Sequence, residues 1–488
     1  MRQEIYDYDI TLVWAWIMSS TLLAFLYELD PRLKIAVVER LDMIGQESSS
    51  VMNNAWTGHS AFCELNYTPE SSDGSVNISK AISIIESFEV SKQFWSSLML
   101  KWYLSKSDKF INRIPHCSIV FWDKDSRFLK TRYDTLQSCH LFHGMEYSEE
   151  IDKIKKRMPL VMKNRNSKEK IAATYMNIGT DIDFWKLTHQ ILDHTVSTNK
   201  ANLYLGYDVS HISKSTNTTW TVDIYNQKEK IKKRLTTKFI FVGAGGGALP
   251  LLQKAGIVEK KWVWWFPVSG QWLVCTNPNI IAQHEAKVYG KAALWAPPMS
   301  VPHLDTRIID GQKALLFGPY AGFTTKFLKQ WSFWDLPFSI RWYNIVAMIW
   351  AWIHNIPLTK YLIDQVLQSS EDRLTALREY VVDARKEDWV LKEAWYRVQI
   401  IKADKKDGGV LQFGTEVIVS QDKTFATLLW ASPWASTAVS IMLEIIEKCF
   451  PHYIDSIPEL IPSYWKKLAD DKSLTKQVRE WSHTILWI

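Results

Sequence analysis

Asp9-Ile10-Thr11-Leu12-Val13-Trp14-Ala15-Trp16-Ile17-Met18-Ser19 is the stretch that decides how this chain folds. Asp9 to Val13 reads as a buried strand and Trp14-Ala15-Trp16 as a tight turn. Ile17 to Leu29 then has helical periodicity, which Asp30-Pro31 stops. Lys34 to Val38 reads as a second strand ending in Glu39. This is a βαβ unit at the start of the chain, the usual place for a dinucleotide-binding fold. Such a fold needs glycine where the chain turns and where backbone approaches a pyrophosphate. It also needs a small residue where the helix packs on the strand. The helix N-terminus then holds the phosphate charge. Ser19 is small, and Glu39 stands where an acid hydrogen-bonds ribose hydroxyls, but the first two positions are Trp14 and Trp16. Read alone, the segment is a plain apolar strand-to-helix turn.

A second unit lies further on. Arg234 to Val242 predicts a strand that runs into Gly243-Ala244-Gly245-Gly246-Gly247 and an apolar helix. A glycine run by itself also makes simple turns. Two strand–turn–helix units with an acid after the first point to a two-part FAD site in one domain. Between and beyond them, 45–72 reads as loop, 78–104 as helix, 150–170 as a solvated helical face and Thr219 to Tyr225 as a strand. Short strands with Pro and Gly turns are expected over 265–345, and mostly helices from 355 onward. The fold class expected is α/β, a Rossmann-like FAD domain with a second α+β substrate domain, interleaved in sequence. The FAD domain takes 1–75, 231–260 and 401–488. The substrate domain takes 261–400 and most of 76–230, where some FAD-domain segments also lie.

The 488 residues, 47% apolar and 23% charged, suit a folded globular chain of two linked domains. A net charge of +6 does not suggest nucleic acid but is compatible with loose attachment to an anionic membrane. The five cysteines show no paired or metal-ligand spacing and fit reduced thiols in the cytoplasm. The N-terminus carries acidic residues where a signal peptide wants positive charge, and the apolar run Ile345 to Trp352 is too short to span a bilayer. If the protein touches a membrane, it lies on it.

A longer set of motifs carries a resemblance: VMNNAWTGHSAFCELNYTP (51–69), FVGAGGGALPLLQKAGI (241–257), FPVSGQWLVC (266–275), APPMSVPHLDTR (296–307), ALLFGPYAGFTTKFLK (314–329), HNIPLTKYL (354–362), RVQIIK (397–402), GGVLQFGTE (408–416) and ASPWASTAVSIMLE (431–444). In these the chain closely resembles malate:quinone oxidoreductases, collinearly from about residue 8 to 470. The resemblance implies an FAD-dependent enzyme of the tricarboxylic acid cycle. It would oxidise (S)-malate to oxaloacetate, pass electrons to membrane quinone, and lie peripherally on the inner, cytoplasmic face of the cell membrane. It implies FAD contacts at Trp14, Ala15, Trp16, Ser19 and Glu39, at Thr57, Gly58, His59 and Ser60, and at Gly243 and Gly245. Ser432, Trp434, Ser436 and Thr437, at the last helix N-terminus, would face the flavin where negative charge develops on reduction. No metal is implied.

A dicarboxylate alcohol needs cations for its carboxylates and a base for its hydroxyl proton. His303, with Asp305 to fix its tautomer, is the expected base. Arg307, Arg397 and His354 are further catalytic candidates, with Tyr320 and Lys326 behind them. Each has an ordinary alternative, a core histidine satisfied by backbone or a surface arginine. A dehydrogenase or oxidase of another 2-hydroxy acid, such as 2-hydroxyglutarate, is the alternative enzyme.

One figure is abnormal: 25 tryptophans against 19 glycines, where about 34 glycines are ordinary. Against the family pattern, Trp14, Trp16, Trp56, Trp122, Trp185, Trp262, Trp264, Trp265, Trp295, Trp331, Trp352, Trp395, Trp430 and Trp434 stand where glycine is expected, and so do Trp102, Trp465 and Trp487. Counted as glycine, these seventeen bring the total to 36. Trp95, Trp220, Trp272 and Trp389 stand where tryptophan is natural. UGA is read as glycine in some bacterial lineages and as tryptophan in others, so UGA recoding accounts for the pattern. If the tryptophans are real, the expectation is an inactive, FAD-less homologue.

Overall fold

The computed structural model describes residues 5–488 apart from 55–57, 59, 167, 217, 258–262, 293–300, 341–344, 403–409, 413–415 and 430–434. β1 (Ile5–Val13) turns into α1 (Ile17–Leu29) and returns as β2 (Ile35–Glu39). Both strands pair in parallel, and β2 and the inner end of β1 are buried on both faces, as their near-continuous apolar sequence requires. α2 (Ser79–Leu100), β3 (His116–Val120) and α3 (Phe184–Ser197) follow, then β4 (Ala201–Leu205) and β5 (Ile231–Val242). The rest is β6 (Val263–Cys275), β7 (Lys287–Tyr289), β8 (His303–Ile309), β9 (Gln312–Phe323), α4 (Ile345–His354), α5 (Ile356–Leu367), β10 (Val390–Lys402), β11 (Phe425–Leu429), α6 (Ala438–Cys449) and α7 (Lys472–Leu486).

These strands form two large sheets. The first has eight strands, with the main order Glu416–Val419, β11, β5, β1, β2, β4. From β11 to β4 every neighbour is parallel, and α1, α3 and α6 pack together on one face. The chain leaves β1 toward β2 and β4 on one side and later adds β5 and β11 on the other. β1 is therefore the point where strand order reverses, and ligands of such sheets bind in the crevice beyond the strand ends there. Val13 pairs with Val242, so β1 and β5 end level with each other at that crevice. The fold is α/β with a Rossmann-like domain.

The second sheet has nine strands in the order Val410–Gln412, β10, β6, β9, β8, β7, β3, Ala172–Met176, Glu146–Ser148. All but the β7–β3 pair are antiparallel. Two strands of 265–345 are longer than expected, with 13 residues in β6 and 12 in β9, because register shifts around Gln271 absorb the turn-like residues inside the ladder, while β7 and β8 are short, at 3 and 7 residues. After 355 helices dominate as expected, but a long strand interrupts them: β10 runs for 13 residues between β6 and Val410–Gln412. Its β-branched and aromatic side chains find cross-strand partners far away in sequence.

Candidate active site

The two glycine-type turns meet at the crevice. The Gly243 N–H donates to the Val13 carbonyl at 3.1 Å, and a Cβ added at Gly243 would lie 2.7 Å from Ser19 Oγ. Helix α1 and the second strand therefore approach so closely that both positions must be small, as expected for Ser19. Glu39 is buried at the end of β2. One carboxylate oxygen accepts from the Ala15 N–H at 2.8 Å and the other from the Leu41 N–H at 2.9 Å. Burial still raises its pKa to about 7. The free N–H of Ile17, at the start of α1, donates to Ser49 Oγ at 2.9 Å. Ser49 sits in the segment read only as loop, and nothing local in the sequence marks it as this cap.

Trp14 and Trp16 fill the crevice. Trp14 sits at φ 75°, and a Cβ added at Gly247 would be 2.2 Å from its indole. A Cβ at Gly245 would be 2.9 Å from the Trp16 ring. The two rings lie 5.0 Å apart, and Trp331 packs edge-on against Trp14 at 5.9 Å. The indoles therefore rest on the glycine cluster where a phosphate would lie. The cavity left between the two sheets is about 50 Å³, bounded by Trp16, Glu47, Asn53, Gly245, Arg397 and Ala435. Pockets for cofactor-sized molecules run to about 300–1,000 Å³. The residues as written do not fit FAD.

Two of the other segments expected to contact a cofactor meet each other. Gly58, at φ 76°, donates its N–H to Ser436 Oγ at 3.1 Å, and its carbonyl accepts from Thr180 Oγ1 at 3.2 Å. A Cβ there would sit 2.4 Å from the Thr180 carbonyl oxygen, so only glycine fits. Ser436 and Thr437 form the short turn that leads into α6, and Ser60 is buried nearby in sequence. Thr57, His59, Ser432 and Trp434 lie outside the described residues.

The substrate candidates separate. Arg397, on β10, is buried at the cavity wall with its guanidinium 3.6 Å over the Trp395 ring. Among the described residues no carboxylate pairs with it, and burial alone pulls its pKa down to about 9. His303 does not line that cavity. Three strand spacings of about 4.8 Å and five residues of about 3.3 Å separate it from Arg397, roughly 20 Å in all. Its Nδ1–H donates to the Val301 carbonyl at 2.8 Å, which leaves Nε2 as the basic nitrogen, 3.7 Å from Asp305. It stacks on Tyr289 at 4.2 Å, and burial lowers its pKa to about 3. Arg307 is buried in an ion pair with Asp181 at 2.8 Å and donates to the Asn54 carbonyl at 3.0 Å, tying β8 to the loop beside the cavity. Lys287, fully buried, also meets Asp181 at 2.8 Å. Burial works against the Asp181 carboxylate, but the two cations outweigh it and hold the pKa down. Burial raises the pKa of Asp305, 3.9 Å from Lys287, to about 7. His354 is exposed at the end of α4, stacked on Trp350, away from the cavity. Tyr320 is buried and donates to the Arg373 carbonyl at 2.8 Å, and Lys326 Nζ donates to the Lys329 carbonyl at 3.0 Å. Among the described residues no cluster could hold a metal.

The malate:quinone oxidoreductase family model matches residues 6–488. The chain belongs to this family. A probable malate:quinone oxidoreductase of Flavobacterium psychrophilum is 52% identical over 491 residues, 99% of each chain. The fold is also that of a glycine oxidase from Geobacillus kaustophilus, with a TM-score of 0.60 at 12% identity over 91% of this chain and 95% of that one. An L-α-glycerophosphate oxidase from Mycoplasma pneumoniae, solved with FAD bound, gives 0.56 at 14% identity over 91% and 94%.

Proposed function

We propose that this protein is a malate:quinone oxidoreductase that oxidises (S)-malate to oxaloacetate with membrane quinone as the final acceptor, a step of the tricarboxylic acid cycle. The observation that carries the substrate side is Arg397. A buried guanidinium with no carboxylate beside it is unfavourable unless an anion arrives. A malate carboxylate supplies that anion and gains a two-pronged, charge-assisted contact. Trp395 backs the guanidinium, so the contact forms away from water. FAD is the cofactor this reading requires, and it would supply the hydride acceptor. The turn at 14–19, Gly243, Gly245, Gly58 and Ser436 would hold it once the crevice admits it.

Quinone is a lipid, and no helix of the described residues is long and apolar enough to cross a membrane. We therefore assign the lipid surface to the pair α4–α5. Ile345, Ile349 and Ile353 recur at helical spacing on α4 and are exposed, with Trp350 beside them. Ile356, Ile363 and Leu367 continue on α5, with Lys360 in the same stripe to reach headgroup phosphates. The helices themselves pack against the second sheet, α5 on β9 and α4 on β10, the strand that carries Arg397. This is the basis for peripheral contact with the inner face of the cell membrane.

The test is steady-state oxidation by enzyme from its source cells, with (S)-malate and 2-hydroxyglutarate as substrates and a quinone analogue, a water-soluble dye and oxygen as acceptors. Malate with quinone should be preferred. Preference for 2-hydroxyglutarate or for oxygen would overturn the reading.

A further inference from the structure

We infer that the working protein carries glycine at positions 14, 16, 102, 465 and 487, and that the letter tryptophan in this sequence stands for two different residues. The argument about residue identity stands on backbone geometry at 14, 102, 465 and 487; position 16, which is extended, is argued from the crevice it fills beside Trp14. Only the consequence for FAD rests on the proposed function.

Four tryptophans adopt left-handed backbone: Trp14 at φ 75°, Trp102 at 67°, Trp465 at 70° and Trp487 at 57°. Ten non-glycine residues of the described chain do so in all. At 25 in 488, tryptophan should supply about half of one. Bulky residues are genuine outliers there, and glycine is the default.

Two of these positions have a recognisable job. After α2, the Tyr103 N–H donates to the Leu98 carbonyl at 3.0 Å and the Trp102 N–H is directed to the Met99 carbonyl at 3.3 Å. At the end of α7, the Ile488 N–H donates to the His483 carbonyl at 3.2 Å, across Trp487. A bond from the residue after the left-handed one, back five positions, is the helix-closing motif whose left-handed residue is usually glycine. Gly256 closes the helix Ala248–Ala255 in the same backbone state, at φ 68° and ψ 17°.

A second population behaves as tryptophan should. Trp95, Trp220, Trp272 and Trp389 are 5% exposed or less and none is left-handed. Trp220 donates its Nε1–H to Thr424 Oγ1 at 2.9 Å, and Trp95 packs edge-on against Phe88 and Phe110. By contrast Trp102 is 83% exposed, and Trp465 and Trp487 also project into solvent. Trp14 and Trp16 are buried, but only by occupying a ligand's crevice. A UGA codon read as glycine in the cell but rendered as tryptophan under another code, beside ordinary UGG codons, produces both populations at once. With glycine at 14 and 16 the crevice at the ends of β1 and β5 opens to a pyrophosphate.

The deciding measurement is peptide mass spectrometry on protein from source cells, with the gene sequenced beside it. Glycine at 14, 102 and 487, tryptophan at 95 and 272, and UGA at the former positions are expected. UGG codons or tryptophan-bearing peptides at 14 and 102 would overturn the inference. A recombinant chain with Trp→Gly at all seventeen positions should bind FAD one to one, read by flavin absorbance after gel filtration. The literal chain should retain less than a tenth as much, and equal retention by a folded literal chain would overturn the steric argument. Glycine in the peptides with no FAD bound would leave residue identity intact and sink the flavin reading.

Discussion

Replacing tryptophan by glycine on a protein surface ordinarily loosens the chain; at Trp102 and Trp465 it should tighten it. Left-handed backbone costs a residue with a side chain about 1–2 kcal/mol. Glycine removes that strain but gives the unfolded chain more freedom, worth about 0.5–1 kcal/mol. The net gain is about 0.5–1 kcal/mol at Trp102, which is exposed at φ 67°. At Trp465 the ring contact with Tyr464 at 4.5 Å offsets part of the gain. Trp487→Gly should be near neutral, since the ring lies 4.9 Å from Lys106 Nζ and 5.7 Å from Lys109 Nζ, contacts worth about 0.5–1 kcal/mol. Trp95→Gly is the opposite control. It empties a fully buried site and should cost about 3–5 kcal/mol or more. Urea unfolding of the single variants and of the Trp102→Gly/Trp465→Gly pair measures this, at constant slope. A pair less stable than its parent by half a kcal/mol would refute the reasoning, because left-handed strain would then not be the dominant effect.

In the glycine-bearing chain, Arg397→Gln should lower kcat/KM for malate by roughly 100- to 1,000-fold, the scale of an unpaired buried carboxylate. A change under threefold in steady-state assays would remove Arg397 from substrate binding. Burial holds His116 and His303 at about 3 and His284 at about 4, below the roughly 6.5 of an unfolded chain. The unfolded state then binds more protons below pH 6.5. Stability is full above that value and falls as pH drops toward the folded values, by about 2 kcal/mol per histidine at pH 5; urea midpoints at pH 7 and 5 that coincide would contradict this. Asp181→Asn leaves Lys287 and Arg307 buried without their shared anion and should cost about 3–5 kcal/mol, read by denaturant unfolding, with little loss disproving their coupling. Ile349→Asp/Ile353→Asp should reduce flotation with phosphatidylglycerol vesicles at least tenfold while dye-coupled malate oxidation is kept; unchanged flotation would rule out α4 as the lipid contact.

Local signals made the helix and second strand of the first βαβ unit legible almost to the residue, while β1 starts four residues before the expected Asp9, where it pairs with β5. The periodicity from Ile17 and the stop at Asp30-Pro31 bound the observed helix, Ile17–Leu29. β5 begins three residues before the predicted Arg234, because its antiparallel partner Trp220–Asn226 extends the ladder. That partner is a tertiary fact, absent from any local window. The spacing of His303, Asp305 and Arg307 does put all three on one face of a strand, but His303 Nε2 stays 3.7 Å from Asp305, beyond a hydrogen bond, and the Val301 carbonyl, not Asp305, fixes the tautomer. What the spacing could not say is that this face is packed interior. Arg397 was nameable from its motif, but its isolation from carboxylates depends on which strands lie beside β10. Left-handed backbone at Trp102 and Trp487 was likewise invisible until the helix ends were placed, and at Trp465 until its turn was.

The small knot of contacts around Gly58 has a consequence for how the protein is made. Its amide is held by Ser436, 378 residues later, and its carbonyl by Thr180. The first sheet likewise joins the opening residues, through β5, to β11 near the end. A nascent chain on the ribosome can shape the βαβ unit early, but its cofactor cradle has no floor until nearly the whole message has been read. Assembly must therefore await β11 and the turn at Ser436, and until then the β5 edge that β11 covers stays unpaired, a strand border open to wrong pairing.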